Sequence, residues 1–218
     1  PPRELLETSL QVSGYTGEIT LSFLGDCTLG GEKKAASSRG GFVQTALREG
    51  YAYPFEKLLG ILEADDVTVV NLEGVLTDRD LSRVKKTFNF KGPADFARIL
   101  PLGSVELAGL ANNHTQDYGT EGYQDTIAAL EAAGVSYFDA GHVAVWAQDG
   151  VMIGFTGSAF SLSTGAQKTL RQQMETLRDL GCQLIVHSMH AGTEYEREPT
   201  SQQKTVAAHA VDMGADLV

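Results

Sequence analysis

Four short segments of the chain place side chains that can hold a cation or move a proton directly after apolar runs. Phe23-Leu24 leads into Gly25-Asp26, Val69-Val70 into Asn71-Leu72-Glu73, Leu110-Ala111 into Asn112-Asn113-His114, and Ile185-Val186 into His187-Ser188-Met189-His190. Carboxylates, amide oxygens and imidazoles together suit a hard or borderline divalent ion, and the set needs no cysteine. Each segment alone has a structural reading, since Gly-Asp forms turns, Asn-Asn-His forms an Asx-turn with a helix cap, and Glu73 could sit on a solvated surface. Their common position sets them apart, because open α/β sheets bind ligands at the carboxyl ends of their strands. If the four runs are strands lying side by side, Asp26, Glu73, Asn113 and His190 converge. His187, in or just after its run, ranks second to His190. His142 beside Gly141 and His209 beside Ala208 lack such company and read as structural or solvent-facing.

The elements that must position these residues follow from periodicity. Runs of strand length at Ile19 to Leu24, Val67 to Val70, Val105 to Leu110, Val143 to Ala147, Val151 to Phe155 and Leu184 to Val186 alternate with helical patterns. The helical faces are Phe55, Leu58, Leu59 and Leu62; Tyr123, Ile127 and Leu130; Leu170, Met174 and Leu177; and Val206, Ala210 and Val211, with Gly134, Gly181 and Gly214 at helix ends. This alternation predicts an α/β fold with helices on the faces of the sheet. Asp149-Gly150 between two apolar runs predicts a tight hairpin, and hence a mixed sheet. The glycine-rich stretch from Cys27 to Tyr53 reads as a long loop, and residues 1–18, with Leu5, Leu6 and Leu10 at helical spacing, as an amphipathic lead-in. With no repeat and no linker-like tract, residues 19–218 are expected to form one domain.

Composition excludes several classes. A hydrophobic fraction of 42% with 17 aromatic side chains argues against disorder, and no apolar run approaches the ~20 residues of a membrane span. Seventeen Lys and Arg against 28 Asp and Glu give a net charge of −11, which disfavours nucleic acid as a partner. Cys27 and Cys182 read as buried free thiols. Gly25, Gly30 and Gly31 match neither a P-loop nor a dinucleotide motif, and neither Ser158 nor Ser188 carries a nucleophile-elbow pattern.

The order of the motifs resembles one family, the bacterial capsule-synthesis protein CapA family, also called the poly-gamma-glutamate biosynthesis protein family. The resemblance rests on Phe23-Leu24-Gly25-Asp26 with Leu29-Gly30, Val70-Asn71-Leu72-Glu73-Gly74, Phe88-Asn89-Phe90 with Pro93, and Leu110-Ala111-Asn112-Asn113-His114. It continues through Asp117-Tyr118-Gly119, Gly122, His190-Ala191-Gly192-Thr193-Glu194-Tyr195 with Pro199 and Gln203, and Ala215-Asp216. It implies a relative of the calcineurin-like metallophosphoesterases: a four-layer α/β sandwich with mixed sheets flanked by helices, whose C-terminal part is missing from this chain. By the same resemblance Asp26, Glu73, Asn113 and His190 are metal ligands, with Glu73 in place of a bridging aspartate, and His114 is the catalytic histidine. Asn71, Asn112 and Glu194 are assigned to substrate. The cofactor implied is one or two divalent ions of Mn, Fe, Zn or Mg. Thr28 departs from the histidine, and Thr115 from the acidic residue, that those enzymes place there.

Two functional expectations follow. One is a metal-dependent hydrolase acting on a phosphoester or amide-type bond of a cell-envelope polymer; the other is a non-catalytic polymer-binding or assembly component of a capsule synthesis and export complex. Partners would be a polyanionic or cell-envelope polymer and capsule synthase membrane proteins. Arg39, Arg83, Lys85, Lys86 and Lys91 flank the motifs and could offset the acidic charge locally, although each alone reads as a solvated loop residue. The resemblance also implies an extracytoplasmic domain anchored through a segment before Pro1. Ala215-Asp216-Leu217-Val218 reads as the opening of a further buried strand, so the natural protein is expected to continue; the resemblance implies that the continuation carries a Gly-His-His-Pro-His-like loop that would supply further histidine ligands.

Overall fold

The computed structural model describes residue 12 and residues 14–159 and 163–218; the leucines expected in the lead-in lie outside them. Its strands are β1 (Leu21–Cys27), β2 (Val67–Leu72), β3 (Val75–Leu76), β4 (Lys91–Gly92), β5 (Leu107–Gly109), β6 (Ser136–Phe138), β7 (Ala144–Gln148), β8 (Val151–Ala159) and β9 (Leu184–His190). Its helices are α1 (Lys33–Ala36), α2 (Phe42–Glu49), α3 (Leu59–Leu62), α4 (Ile99–Leu102), α5 (Gly119–Ala133), α6 (Thr164–Asp179) and α7 (Ser201–Asp212).

Side-chain alternation along the strands builds four layers. In β2, Val67 and Val69 point to one face while Val70 and Leu72 point to the other; in β5, Leu107 and Ala108 divide the same way. The first faces meet Ile153, Phe155 and Val186 of a second sheet, forming an apolar layer between the sheets. The outer face of the first sheet packs under Val43, Phe55, Ile99 and Leu130, and Ile185 on the outer face of the second packs under Leu170, Leu177 and Ala210. The order is therefore helices, sheet, sheet, helices, the expected α/β sandwich. The first sheet, β1-β2-β5-β6, is wholly parallel. Mixing is confined to the second, where β7 and β8 are antiparallel and β8 and β9 parallel. The hairpin between β7 and β8 turns on Asp149 and Gly150, both with positive φ, 52° and 83°, the conformation that Asp-Gly favours in a two-residue turn.

Three readings need correction. The segment from Cys27 to Tyr53 is not one loop, because α1 and α2 lie within it and Val43 and Ala46 of α2 are buried. The single helix expected around Phe55 to Leu62 is a 3-10 turn at Tyr53–Phe55 followed by the short α3, and Leu58 is exposed. Pro54 suits the first turn of a helix, where its missing N–H is no loss, and the 3-10 turn starts there. β1, β2 and β9 also run further than their apolar runs, whereas β5 is shorter than its own, so Asp26, Asn71 and His190 stand on strands rather than in the turns after them.

Among the described residues no helix is long and apolar enough to cross a membrane.

Candidate functional site

The carboxyl ends of β1 and β2, and the loop after β5, meet the carboxyl end of β9. The expectation of strands side by side holds only for the first three, since β9 belongs to the other sheet; His190 reaches across the junction. A bulge helps to aim Asp26. Between Phe23, opposite Val69, and Asp26, opposite Asn71, β1 uses three residues where β2 uses two, which re-directs the end of the strand.

Side-chain amides wire the site. Asn112 is oriented by backbone on both sides, its Nδ2 donating to the Leu72 carbonyl at 2.9 Å and its Oδ1 accepting from the His114 N–H at 2.9 Å. Asn112 Nδ2 also donates to Asn71 Oδ1 at 2.9 Å, so Asn71 Nδ2 is left to donate to Asp26 Oδ1 at 2.7 Å and to face His190 Nδ1 at 3.2 Å. His190 Nε2 lies 2.9 Å from Asn113 Oδ1 and 3.9 Å from Glu73 Oε1. Asp26 Oδ1 stands on the opposite side of the ring, 3.8 Å from Nδ1.

His114 closes the other wall. Its Nε2 is 3.7 Å from Glu73 Oε1, its Nδ1 is 2.7 Å from Asp117 Oδ2, and its ring stacks on Phe90 with centroids 4.1 Å apart. Stacking covers one ring face, which leaves the Nε2 edge toward Glu73 as the working edge. Thr115 Oγ1 is spent on the Leu110 carbonyl and Asn112.

The structure thus brings together Asp26, Asn71, Glu73, Asn112, Asn113, His114 and His190. Glu194 is not among them: it lies exposed in the loop after β9 and makes no hydrogen bond or ion pair among the described residues. Two residues that carried no assignment join the site. Asp117, within a motif quoted for the resemblance, is fully buried behind His114, and Lys86 is a half-buried partner of Asp117, His114 and the Asn113 carbonyl rather than a solvated loop residue.

Whether these groups suit a divalent ion turns on their chemistry and spacing. No three His, Cys, Asp or Glu side chains among the described residues form a metal-holding group by themselves, so an ion here needs an amide oxygen as well. Asn113 Oδ1, His190 Nε2 and Glu73 Oε1 supply oxygen and nitrogen donors. Their separations of 2.9 and 3.9 Å are ones that donors bound at about 2.1 Å to a single ion can span. Burial pushes the Glu73 carboxyl above its ordinary value and the neighbouring Asp26 carboxylate adds to this, against the pull of His114, His190 and Lys86. A carboxylate so placed favours a nearby cation. In donor type and spacing Glu73, Asn113 and His190 are compatible with a divalent ion, with Asp26 beside the cluster rather than facing the same ring nitrogen.

Neighbouring groups have other roles. Burial pushes the Cys27 thiol up to about 12, which removes it as a nucleophile near neutral pH. His187 is fully buried, its Nε2 2.9 Å from Ser158 Oγ, and burial lowers it to about 4. An unfolded histidine near 6.5 takes up a proton that the folded one refuses until about pH 4, so stability declines as pH falls through that interval. The decline attributable to His187 is about 2 kcal/mol by pH 5. Urea unfolding at pH 7 and pH 5 should show this drop in the wild type and a smaller one in His187→Gln; equal drops would assign the acid sensitivity to other groups.

Comparison with known proteins adds the family. The sequence profile of the bacterial capsule synthesis protein PGA_cap family matches residues 20–159 and 147–218. The chain is 25% identical over 227 residues to the capsule biosynthesis protein CapA of Bacillus anthracis, covering 92% of this chain and 53% of that protein. It is 22% identical over 230 residues to the PGA biosynthesis protein CapA of Bacillus subtilis (strain 168), covering 95% and 58%. A probable polyglutamine synthesis accessory protein of Mycobacterium tuberculosis (strain ATCC 25618 / H37Rv) is 24% identical over 200 residues, covering 77% and 53%. The chain spans about half the length of these curated relatives. With the profile matched from β1 through the last described residues, this chain belongs to the bacterial capsule synthesis protein family.

Proposed function

We propose that the chain is a divalent-ion-dependent hydrolase of capsule or poly-gamma-glutamate biosynthesis, acting on a phosphoester or amide-type bond of a cell-envelope polymer. The observation that carries this reading is the juxtaposition of the Glu73, Asn113 and His190 donors with His114 Nε2, 3.7 Å from Glu73 Oε1. Asp26, Glu73, Asn113 and His190 would hold the ion, whether Mn, Fe, Zn or Mg, and whether one or two. When bound, such an ion supplies Lewis acidity, polarising an oxygen of the scissile bond and acidifying water. His114, when its ring carries a proton on both nitrogens, would give the Nε2 proton to the leaving group and be left as the Nδ1–H form, with Asp117 holding Nδ1 and Phe90 screening one ring face from water. Asn71 and Asn112 orient Asp26 and the Asn113-His114 turn, and their polar atoms border the place where substrate would sit. Glu194, exposed beyond β9, is available to a long polymer only outside this cluster.

The polymer and the capsule synthase membrane proteins are the partners of this reading, and its compartment is extracytoplasmic. A second reading, a non-catalytic accessory component that binds polymer, is favoured by the name of the mycobacterial relative as a probable polyglutamine synthesis accessory protein. Turnover separates the two. Phosphomonoesters, phosphodiesters and γ-glutamyl peptides, each offered with added Mn, Zn or Mg, should yield hydrolysis of one bond class in the first case; polymer binding without hydrolysis of any class supports the second.

A further inference from the structure

Lys86 sits in the connection between β3 and β4, where its ammonium meets three groups of the site. It lies 2.7 Å from the Asn113 carbonyl and 3.1 Å from His114 Nδ1, and it pairs with Asp117 Oδ1. The contacts differ in kind. Asp117 Oδ2 lies 2.7 Å from His114 Nδ1 and also accepts the Phe90 N–H, so the proton between carboxylate and ring belongs to Nδ1. A protonated Nδ1 accepts nothing, and the ammonium hydrogens are left to the Asn113 carbonyl and Asp117 Oδ1. That oxygen, on a residue with no exposed surface, has no well-angled hydrogen-bond partner among the described residues, so the charge of Lys86 is what compensates it.

We propose that Lys86 is a positioning residue. By clamping the Asn113 carbonyl and the Asp117 carboxylate together, it keeps His114 in the tautomer with Nδ1 protonated and Nε2 turned to Glu73. The same clamp holds the Asn113 peptide so that its side-chain oxygen faces His190. Residues 77–92 join the site at several points, since Phe90 stacks on His114 and donates its N–H to Asp117, and the Asp117 carbonyl accepts from the Val84 N–H at 2.9 Å and from Asn89 Nδ2 at 3.3 Å; these contacts bring Lys86 over the His114 turn. The inference rests on reading His114 as the proton-transfer residue, but its test uses neither turnover nor a bound ion.

The test is long-range proton–nitrogen NMR of the imidazoles at a pH where they are neutral. Wild type, Lys86→Met, Lys86→Arg and a Lys85→Met control at the exposed neighbouring position are compared. The wild type and the control should show His114 as a single Nδ1–H tautomer; Lys86→Met should lose that signature and Lys86→Arg regain it. A Lys86→Met protein that keeps the signature, or a wild type with the proton on Nε2, overturns the proposal. If Lys86→Met does not fold, the wild type alone decides: the Lys86 ammonium hydrogens must be protected from exchange and show proximity to His114, and freely exchanging hydrogens overturn it. Absence of turnover with the tautomer signature intact would count against the hydrolase reading alone.

Discussion

Asp117→Leu is expected to lower stability by about 3–5 kcal/mol, the cost of breaking a buried ion pair by removing one partner. The carboxylate has no exposed surface and holds the Phe90 N–H, His114 Nδ1 and the Lys86 ammonium. Leucine of similar size would fill the space yet leave the half-buried Lys86 ammonium with the Asn113 carbonyl but without its counter-charge, and the Phe90 N–H and His114 Nδ1–H without the acceptor they share. With a urea dependence of about 2 kcal/mol per molar, the unfolding midpoint should fall by more than about 1 M. Because the loss comes largely from the stranded Lys86 charge, adding Lys86→Met to Asp117→Leu should cost less than the sum of the two single changes. A midpoint within a few tenths of a molar of the wild type would mean that Asp117 is not what holds the His114 turn together.

The second large effect concerns His190. Replacement by alanine removes the ring that faces Asn113 and Glu73 on one side and Asn71 and Asp26 on the other. Loss of a group that merely orients a ligand typically costs 10–100-fold in metal affinity, so loss of the ligand itself should cost at least about 100-fold. Isothermal titration with Mn and Zn reads this directly, and a thermal midpoint that rises with ion in the wild type but not in His190→Ala reads it by mass action. His142→Ala serves as the control. His142 hydrogen-bonds Asp139 beyond the end of β6 and has no contact with the cluster, so its loss should leave the titration unchanged. Equal affinity and stoichiometry in wild type and His190→Ala would remove His190 from the ligand set.

What the chain revealed before its structure, and what it concealed, divides along physical lines. Asp26, Glu73, Asn113 and His190 were legible because an apolar run followed at once by a carboxylate, amide or imidazole marks a strand's carboxyl end, and that rule is local. Lys86 was not legible: its contacts span 27, 28 and 31 positions to Asn113, His114 and Asp117, through a segment with no hydrophobic period to place it. The separation of β7-β8-β9 from the β1-β2-β5-β6 sheet was equally hidden from periodicity, because Ile185 and Val186 alternate in the same way whichever sheet β9 joins; the four layers entered through the resemblance. In α2 the signal exists, with Phe42, Val43 and Ala46 on one helical face, but Gly40-Gly41 and the glycines before it mask it. β1 extends past its apolar run because Gly25, a turn residue by type, lies within the bulge that turns Asp26 toward Asn71.

The central claim, that the cluster is a hydrolytic site worked by His114, is met most directly by measuring ion-dependent turnover in wild type and His114→Ala on the bond class that the substrate screen identifies. General acid catalysis by a placed imidazole contributes about 10²–10⁴-fold, so the variant should lose that factor in kcat while binding the divalent ion as the wild type does. An ion-loaded wild type that hydrolyses none of the phosphomonoesters, phosphodiesters and γ-glutamyl peptides, or a His114→Ala protein that turns over at the wild-type rate, would contradict it.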